Sequence, residues 1–228
     1  MPLYAALLQI PGLEAPDLTW QEQLARFWSD TGFMVWPLAF CAVTGIIVII
    51  VKFVTLTVKS SKTRKLLKEV DELLTQRRIR EALELTRDTD APAANILYAG
   101  LERHEEGTER VMKAIENQGL IEMSKLERGL VVLATLTNVA PLLGFLGTVI
   151  GMIQAFQAIE LAGEVEATLV ASGIKVALIT TAAGLAIAIP INIAHNYFVT
   201  RIDRLVLDME ESAQKMVDTL HEIEAPVR

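Results

Sequence analysis

The chain has one cysteine, Cys41, and three histidines, His104, His195 and His221, in 228 residues. A lone cysteine excludes an intrachain disulfide, and because it sits in an apolar run it says nothing about the redox compartment. The histidines are too scattered to hold a metal, and no Walker loop, G-x-S-x-G, H-E-x-x-H or cysteine cluster is present. No metal, no organic cofactor and no enzymatic activity are expected. An excess of basic residues is missing too: 21 Lys and Arg face 28 Asp and Glu, a formal charge of -7. Neutralising phosphates needs a cationic stripe, so nucleic acid is excluded as a partner.

What the chain does have is apolar surface, 52% of its residues, alongside 21% charged ones, so greasy and polar parts must be segregated along it. Three runs lack Asp, Glu, Lys and Arg: Thr31 to Val51, Gly129 to Ile159 and Val176 to Thr200. Each exceeds the roughly 20 residues that carry a helix across about 30 Å of hydrocarbon. A barrel would need short segments alternating in polarity, and these are long and continuously apolar. The expected fold is therefore all-α and integral to a membrane, with three transmembrane helices and long cytoplasmic helical extensions. The first span begins thirty residues in, after acids rather than a basic cluster, and reads as a retained anchor rather than a cleaved leader.

Lysine and arginine counts orient the spans, because these residues resist translocation in short flanking segments. Residues 1–30 hold only Arg26, and the connection between the second and third runs holds only Lys175 beside Glu160, Glu164 and Glu166. Lys52, Lys59, Lys62, Arg64, Lys65 and Lys68 crowd the exit of the first run, and Arg201 and Arg204 follow the third. The expected layout is a periplasmic N-terminus over 1–30, spans over 31–57, 129–159 and 170–200, a periplasmic turn over 160–169, a cytoplasmic helical domain over 58–128 and a cytoplasmic C-terminal helix over 201–228. The host is expected to be a cell with a polarised inner membrane. In the N-terminal segment, Trp20, Leu24, Phe27 and Trp28 share one helical face; this is either an interfacial helix on the outer leaflet or a packed helix end.

In the cytoplasmic part, Leu66, Val70, Leu73 and Leu74 form one apolar stripe, and Leu83 and Leu85 belong to a second, as in a helical hairpin. Pro92 opens another short helix to Glu106, and Gly107-Thr108 reads as a stop followed by an N-cap. No proline lies between Glu109 and Pro141, so a single helix of about 50 residues, ~75 Å long, is expected to run into the second span. After the third span, Ile202, Leu205, Met209, Met216 and Leu220 fall near one stripe and should pack on the other cytoplasmic helices.

Within the second and third runs, small residues recur at helical spacing: Ala140, Gly144, Gly147, Gly151 and Ala155 on one, Gly173, Ala177, Gly184 and Ala188 on the other. Such residues let helix backbones approach closely in lipid. Thr148 and Thr181 are hydroxyls in these apolar segments, and their midpoint falls at Glu164, so an antiparallel hairpin sets them at similar depth. They either bond a carbonyl one turn back or form a polar ring about an axis of assembled subunits. No run contains a carboxylate, whereas proton relays through membranes use buried ionisable side chains. If protons cross here, another membrane chain must supply the titrating acid.

The segments NVAPLLGFLGTVIGMIQAF (138–156) and SGIKVALITTAAGLAIAIPINIAHNYF (172–198) resemble two sequence blocks of the ExbB/TolQ/MotA proton-channel family, A-P-x-x-G-x-x-G-T-V-x-G and A-L-x-x-T-x-x-G-L-x-x-A-I-P. Three spans favour the ExbB/TolQ side over the flagellar-stator branch, which usually has four. The resemblance implies a homo-oligomer, a pentamer, around a central pore that encloses the single-span helices of an ExbD- or TolR-like dimer carrying one membrane aspartate per chain. It implies that Thr148 and Thr181 line the ion pathway and that Pro141 and Pro190 distort their helices, while the spacing of Gly144, Gly147, Gly151 and Gly184 has them pack those helices. The implied ion is H+, with TonB- or TolA-like proteins and lipid as further contacts. Where many ExbB-like chains have a glutamate five residues before the second threonine, this one has Val176, next to Lys175. Sequence leaves open ExbB-like service to outer-membrane transport, TolQ-like envelope maintenance, and a non-conducting oligomeric scaffold. A solute transporter is disfavoured by the lack of an internal repeat or broken half-helix pair.

Overall fold

The computed structural model describes residues 32–163 and 166–224. The candidate N-terminal helix with Trp20, Leu24, Phe27 and Trp28, and Glu164 of the connection, lie outside them. The described residues form helices and turns without a strand: α1 Val35–Thr75, α2 Ile79–Asp88, α3 Pro92–Leu101, α4 Thr108–Glu127, α5 Leu130–Ala162 and α6 Ala167–Glu224, with single 3-10 turns at Gly32–Met34 and His104–Glu106. Three helical stretches, Gly32–Thr75, Leu130–Ala162 and Val170–Glu222, are long and apolar enough to cross a membrane.

The ends of these helices have local causes. α1 stops in a Schellman turn, in which Arg77 takes φ 57°. There the Arg78 N–H reaches back to the Leu73 carbonyl and the Arg77 N–H to that of Leu74, both at 2.9 Å, so two terminal carbonyls are satisfied. α3 opens with Pro92, whose fixed φ suits the first helical turn and whose missing N–H is not needed there. Gly163, at φ 74°, follows α5 and donates to the Ile159 carbonyl at 3.0 Å, the left-handed stop that glycine adopts at least cost.

The helices divide into two compact units, one of residues 42–138 and 188–224, the other of residues 32–41 and 139–187. In the first, Leu66, Val70 and Leu74 of α1 and Ile202, Leu205, Met209, Met216 and Leu220 of α6 are buried, along the stripes their spacing predicts. Arg64 meets Asp208 at 3.7 Å and Lys215 meets Asp71 at 3.8 Å. Each pair is 144 positions apart, so α1 and α6 run parallel there in constant register. These exposed ion pairs contribute little stability but record the alignment. α3 is apolar nearly all round and is buried accordingly, Ala93, Ala94, Ile96, Leu97 and Leu101 included.

Three local expectations are corrected. On α2 the buried side chains are Ala82 and Thr86, with Leu83 and Leu85 only half-buried, because the packed face follows the Ile79, Ala82, Leu83, Thr86 row rather than a leucine pair two residues apart. The N-cap of α4 is Gly107, and Thr108 is already helical, with no side-chain capping bond. The continuous helix from Glu109 to the second span does not form. α4 ends at Glu127, Arg128 turns to ψ 123° and Gly129 to φ 93°, and α5 starts afresh at Leu130. An L-residue at that φ is strained, so glycine makes the break possible. The Lys52 ammonium donates to the Leu126 carbonyl there at 2.7 Å.

Candidate functional site

Within the second unit, α5 from residue 139 and α6 up to residue 187 lie antiparallel along a seam of small side chains. The seam can be read by asking what a Cβ would meet at each glycine. At Gly184 it would stand 2.6 Å from the Ala140 carbonyl oxygen, at Gly144 3.0 Å from that of Thr180, and at Gly151 2.9 Å from that of Gly173. At Gly147 it would strike the Thr180 side chain, and at Gly173 the Ala155 methyl. Backbone thus meets backbone directly, a spacing that dispersion rewards in lipid and that any larger side chain prevents. Pro141 lies inside α5 and Pro190 inside α6, each removing one N–H from its helix.

The two singled-out threonines occupy different settings. Thr148 is half-buried on an α5 face whose neighbours Phe145, Leu146 and Val149 are exposed, and its hydroxyl donates to the Phe145 carbonyl at 2.6 Å. Thr181 is also half-buried; its Oγ1 lies 3.2 Å from the Ala177 carbonyl one turn back and 3.3 Å from the Gly144 carbonyl across the seam. The register therefore places Thr181 beside Gly144, one turn from Thr148, and the two hydroxyls bond separate carbonyls rather than each other. A hydroxyl that donates its proton to a carbonyl keeps two lone pairs for an outside donor.

Sequence reading passed over Thr180. It is fully buried, bonds the Val176 and Ala177 carbonyls at 3.0 and 2.9 Å, and fills the space that Gly147 leaves. A signal was available: Thr180 stands three residues after Ala177 and four before Gly184, on the small-residue face itself. It packs the seam, while its neighbour Thr181 reaches across it.

Beside these hydroxyls the paired segments carry few polar groups, Gln154 and Gln157 on α5 and Ser172 and Lys175 on α6 among them. Acids are absent from Leu130 to Ile159 on α5 and from Ala167 to Ile202 on α6. Residues 88–211, more than half of the chain, match the MotA/TolQ/ExbB proton channel family. The chain belongs to that family. As a MotA/TolQ/ExbB member it is 35% identical over 156 residues to a biopolymer transport protein ExbB homologue of Methanothermobacter thermautotrophicus, across 68% of this chain and 55% of that one. To the Tol-Pal system protein TolQ of Haemophilus influenzae it is 36% identical over 132 residues, across 58% and 53%. To the biopolymer transport protein exbB1 of Vibrio cholerae it is 27% identical over 174 residues, across 74% and 76%. The chain spans about half the length of the first two relatives. The seam and its threonines thus lie in a membrane protein of a proton-channel family, in helices matched by the family along most of their length.

Proposed function

We propose that this chain is the ring-forming subunit of an ExbB/TolQ-type motor in the bacterial inner membrane, with its N-terminus periplasmic and its C-terminus cytoplasmic. Copies of it, a pentamer by family resemblance, surround an ExbD- or TolR-like dimer whose single spans each bring one aspartate. Proton flow through this assembly does mechanical work across the periplasm, on a TonB-like protein for outer-membrane transport or on a TolA-like one for envelope maintenance. One proton crossing 100 mV releases about 2.3 kcal/mol, enough for a few protons to drive a rearrangement of ångström scale.

The observation that carries this reading is the state of the hydroxyls in stretches of α5 and α6 that hold no acid, Leu130 to Ile159 and Ala167 to Ile202. Thr148 donates to Phe145 and so offers lone pairs outward, on a face still half open in the single chain. A protonated carboxyl from a partner can donate to that oxygen. Once the carboxyl loses its proton, the hydroxyl can rotate away from its carbonyl and donate to the carboxylate instead. An unpaired carboxylate is costly at membrane depth, so a donor that serves both protonation states lowers the barrier to transfer. Thr181, shared between two carbonyls at 3.2 and 3.3 Å, is less firmly committed than Thr148 at 2.6 Å.

The test is Thr148→Val and Thr181→Val, which keep shape and remove the hydroxyl. In vesicles containing this chain and its partner, each should lower proton flux at least ~10-fold, about 1.4 kcal/mol in barrier, with assembly unchanged on sizing. Normal flux in both variants would remove the threonines from the pathway. If each variant loses assembly in step with flux, the hydroxyls serve packing rather than the pathway, and absence of flux from the wild-type assembly would favour a non-conducting scaffold.

A further inference from the structure

The break between α4 and α5 poses a question that local sequence does not answer. Leu126, Glu127, Arg128 and Leu130 all have good to moderate helix propensity, and a single interior glycine lowers helix stability only about fivefold relative to alanine. In an unbroken helix the Leu126 carbonyl would accept from the Leu130 N–H, four residues on. Here that carbonyl accepts from Lys52, whose Nζ lies 2.7 Å away after reaching in from α1, 74 positions distant in sequence. The Lys52 stem also lies against the joint: a Cβ at Gly129 would stand 3.3 Å from Lys52 Cε. A cation at the C-terminus of α4 is favoured further by the partial negative charge of its last carbonyls.

We infer that Lys52 is a latch that selects the broken α4–α5 joint over a continuous helix by competing with the Leu130 N–H for the Leu126 carbonyl. Two arrangements of the same segment then differ in the backbone of Arg128 and Gly129 and in which donor the Leu126 carbonyl takes. Removing the ammonium frees the carbonyl, and the helix closes through Gly129. Replacing Gly129 with alanine reaches the same state from the other side, because alanine disfavours φ 93° and favours the helix interior. The latch is independent of the ion pathway and would exist in a scaffold as well.

The full chain, with Cys41 replaced by serine, can carry nitroxide labels at Asn117 and Thr135, both exposed and on either side of the joint. In a continuous helix the backbone rise between them is about 27 Å at 1.5 Å per residue. Lys52→Met and Gly129→Ala should each move the measured distance from the wild-type value to that of the continuous helix, and Lys52→Arg, which keeps a cationic donor, should leave it at the wild-type value. Trypsin adds an arm that simple destabilisation would move the other way. Arg128 is exposed and extended at the break, so closing the helix should slow cleavage after Arg128 about fivefold in Gly129→Ala, and several-fold in Lys52→Met. An unchanged distance in Lys52→Met, even where Gly129→Ala shifts it, or a broadened distance with faster cleavage, would overturn the latch. If Lys52→Met fails to insert into the membrane, Lys52→Ala, read by the same distance and cleavage, decides in its place.

Discussion

Glu122 shows how a charged residue comes to lie in the interior of a largely apolar helix packing. Its side chain is 3% exposed, yet its Oε1 accepts from Lys125 Nζ at 2.7 Å, Asn95 Nδ2 at 2.9 Å and Gln118 Nε2 at 3.2 Å. Asn95 comes from α3, so the carboxylate ties α3 to α4. Lys125 is 46% exposed and its contribution is screened; the amide donors matter more. Glu122→Ala is expected to cost roughly 2–3 kcal/mol, the value of hydrogen bonds to a buried charge, and Glu122→Gln about half of that because its carbonyl still accepts from Asn95. Thermal unfolding in detergent, with Asn95→Ala as the second arm of a double-mutant cycle, checks this; additive losses would dissolve the pairing. Spacing alone does not show which of the acids along α4 the neighbouring helix covers. The adjacent pair Thr180 and Thr181 makes the same point. One packs and the other bridges, and the difference is a rotation of about 100° per residue against a partner helix.

At the scale of the helices, two glycines of the same residue type have opposite consequences. Gly151 sits where a Cβ would meet the Gly173 oxygen at 2.9 Å and the Ala177 nitrogen at 3.0 Å, backbone atoms that cannot step aside without moving a helix. Gly119, inside α4, has nothing within 4 Å of its missing Cβ. Gly151→Ala is expected to destabilise by about 1–3 kcal/mol through forced separation of α5 and α6. Gly119→Ala should stabilise by roughly 0.5–1 kcal/mol, since alanine loses less backbone entropy in a helix. Opposite shifts in unfolding temperature bear this out, and a stabilising Gly151→Ala would mean that the seam is looser than its geometry. The seam was legible in sequence as small residues three and four apart, because helix periodicity alone assigns them to one face. The α4–α5 break was not legible. The contact that accompanies it comes from Lys52, and a window of local sequence contains no trace of a side chain 74 positions away.

For the whole molecule, three apolar helices and a lopsided distribution of lysine and arginine define how the chain should thread the bilayer. In a Cys41→Ser background, a cysteine at exposed Ala162 should react with a membrane-impermeant maleimide added to intact cells. A cysteine at exposed Lys62 should react only after permeabilisation. The reverse pattern would invert the proposed orientation and place the six-cation segment 52–68 outside. The three helices among the described residues that are long and apolar enough to cross a membrane, and the face that carries the small residues, follow from sequence alone, because lipid leaves the backbone no partner but its own helix and periodicity does the rest. Tertiary structure alone decided that Thr180 is enclosed while Thr181 bonds across the seam, that Glu122 is covered, and that α4 stops at Glu127. Each of these depends on which distant helix arrives beside a given residue, and a close-packed interior resolves that only when all its helices are in place.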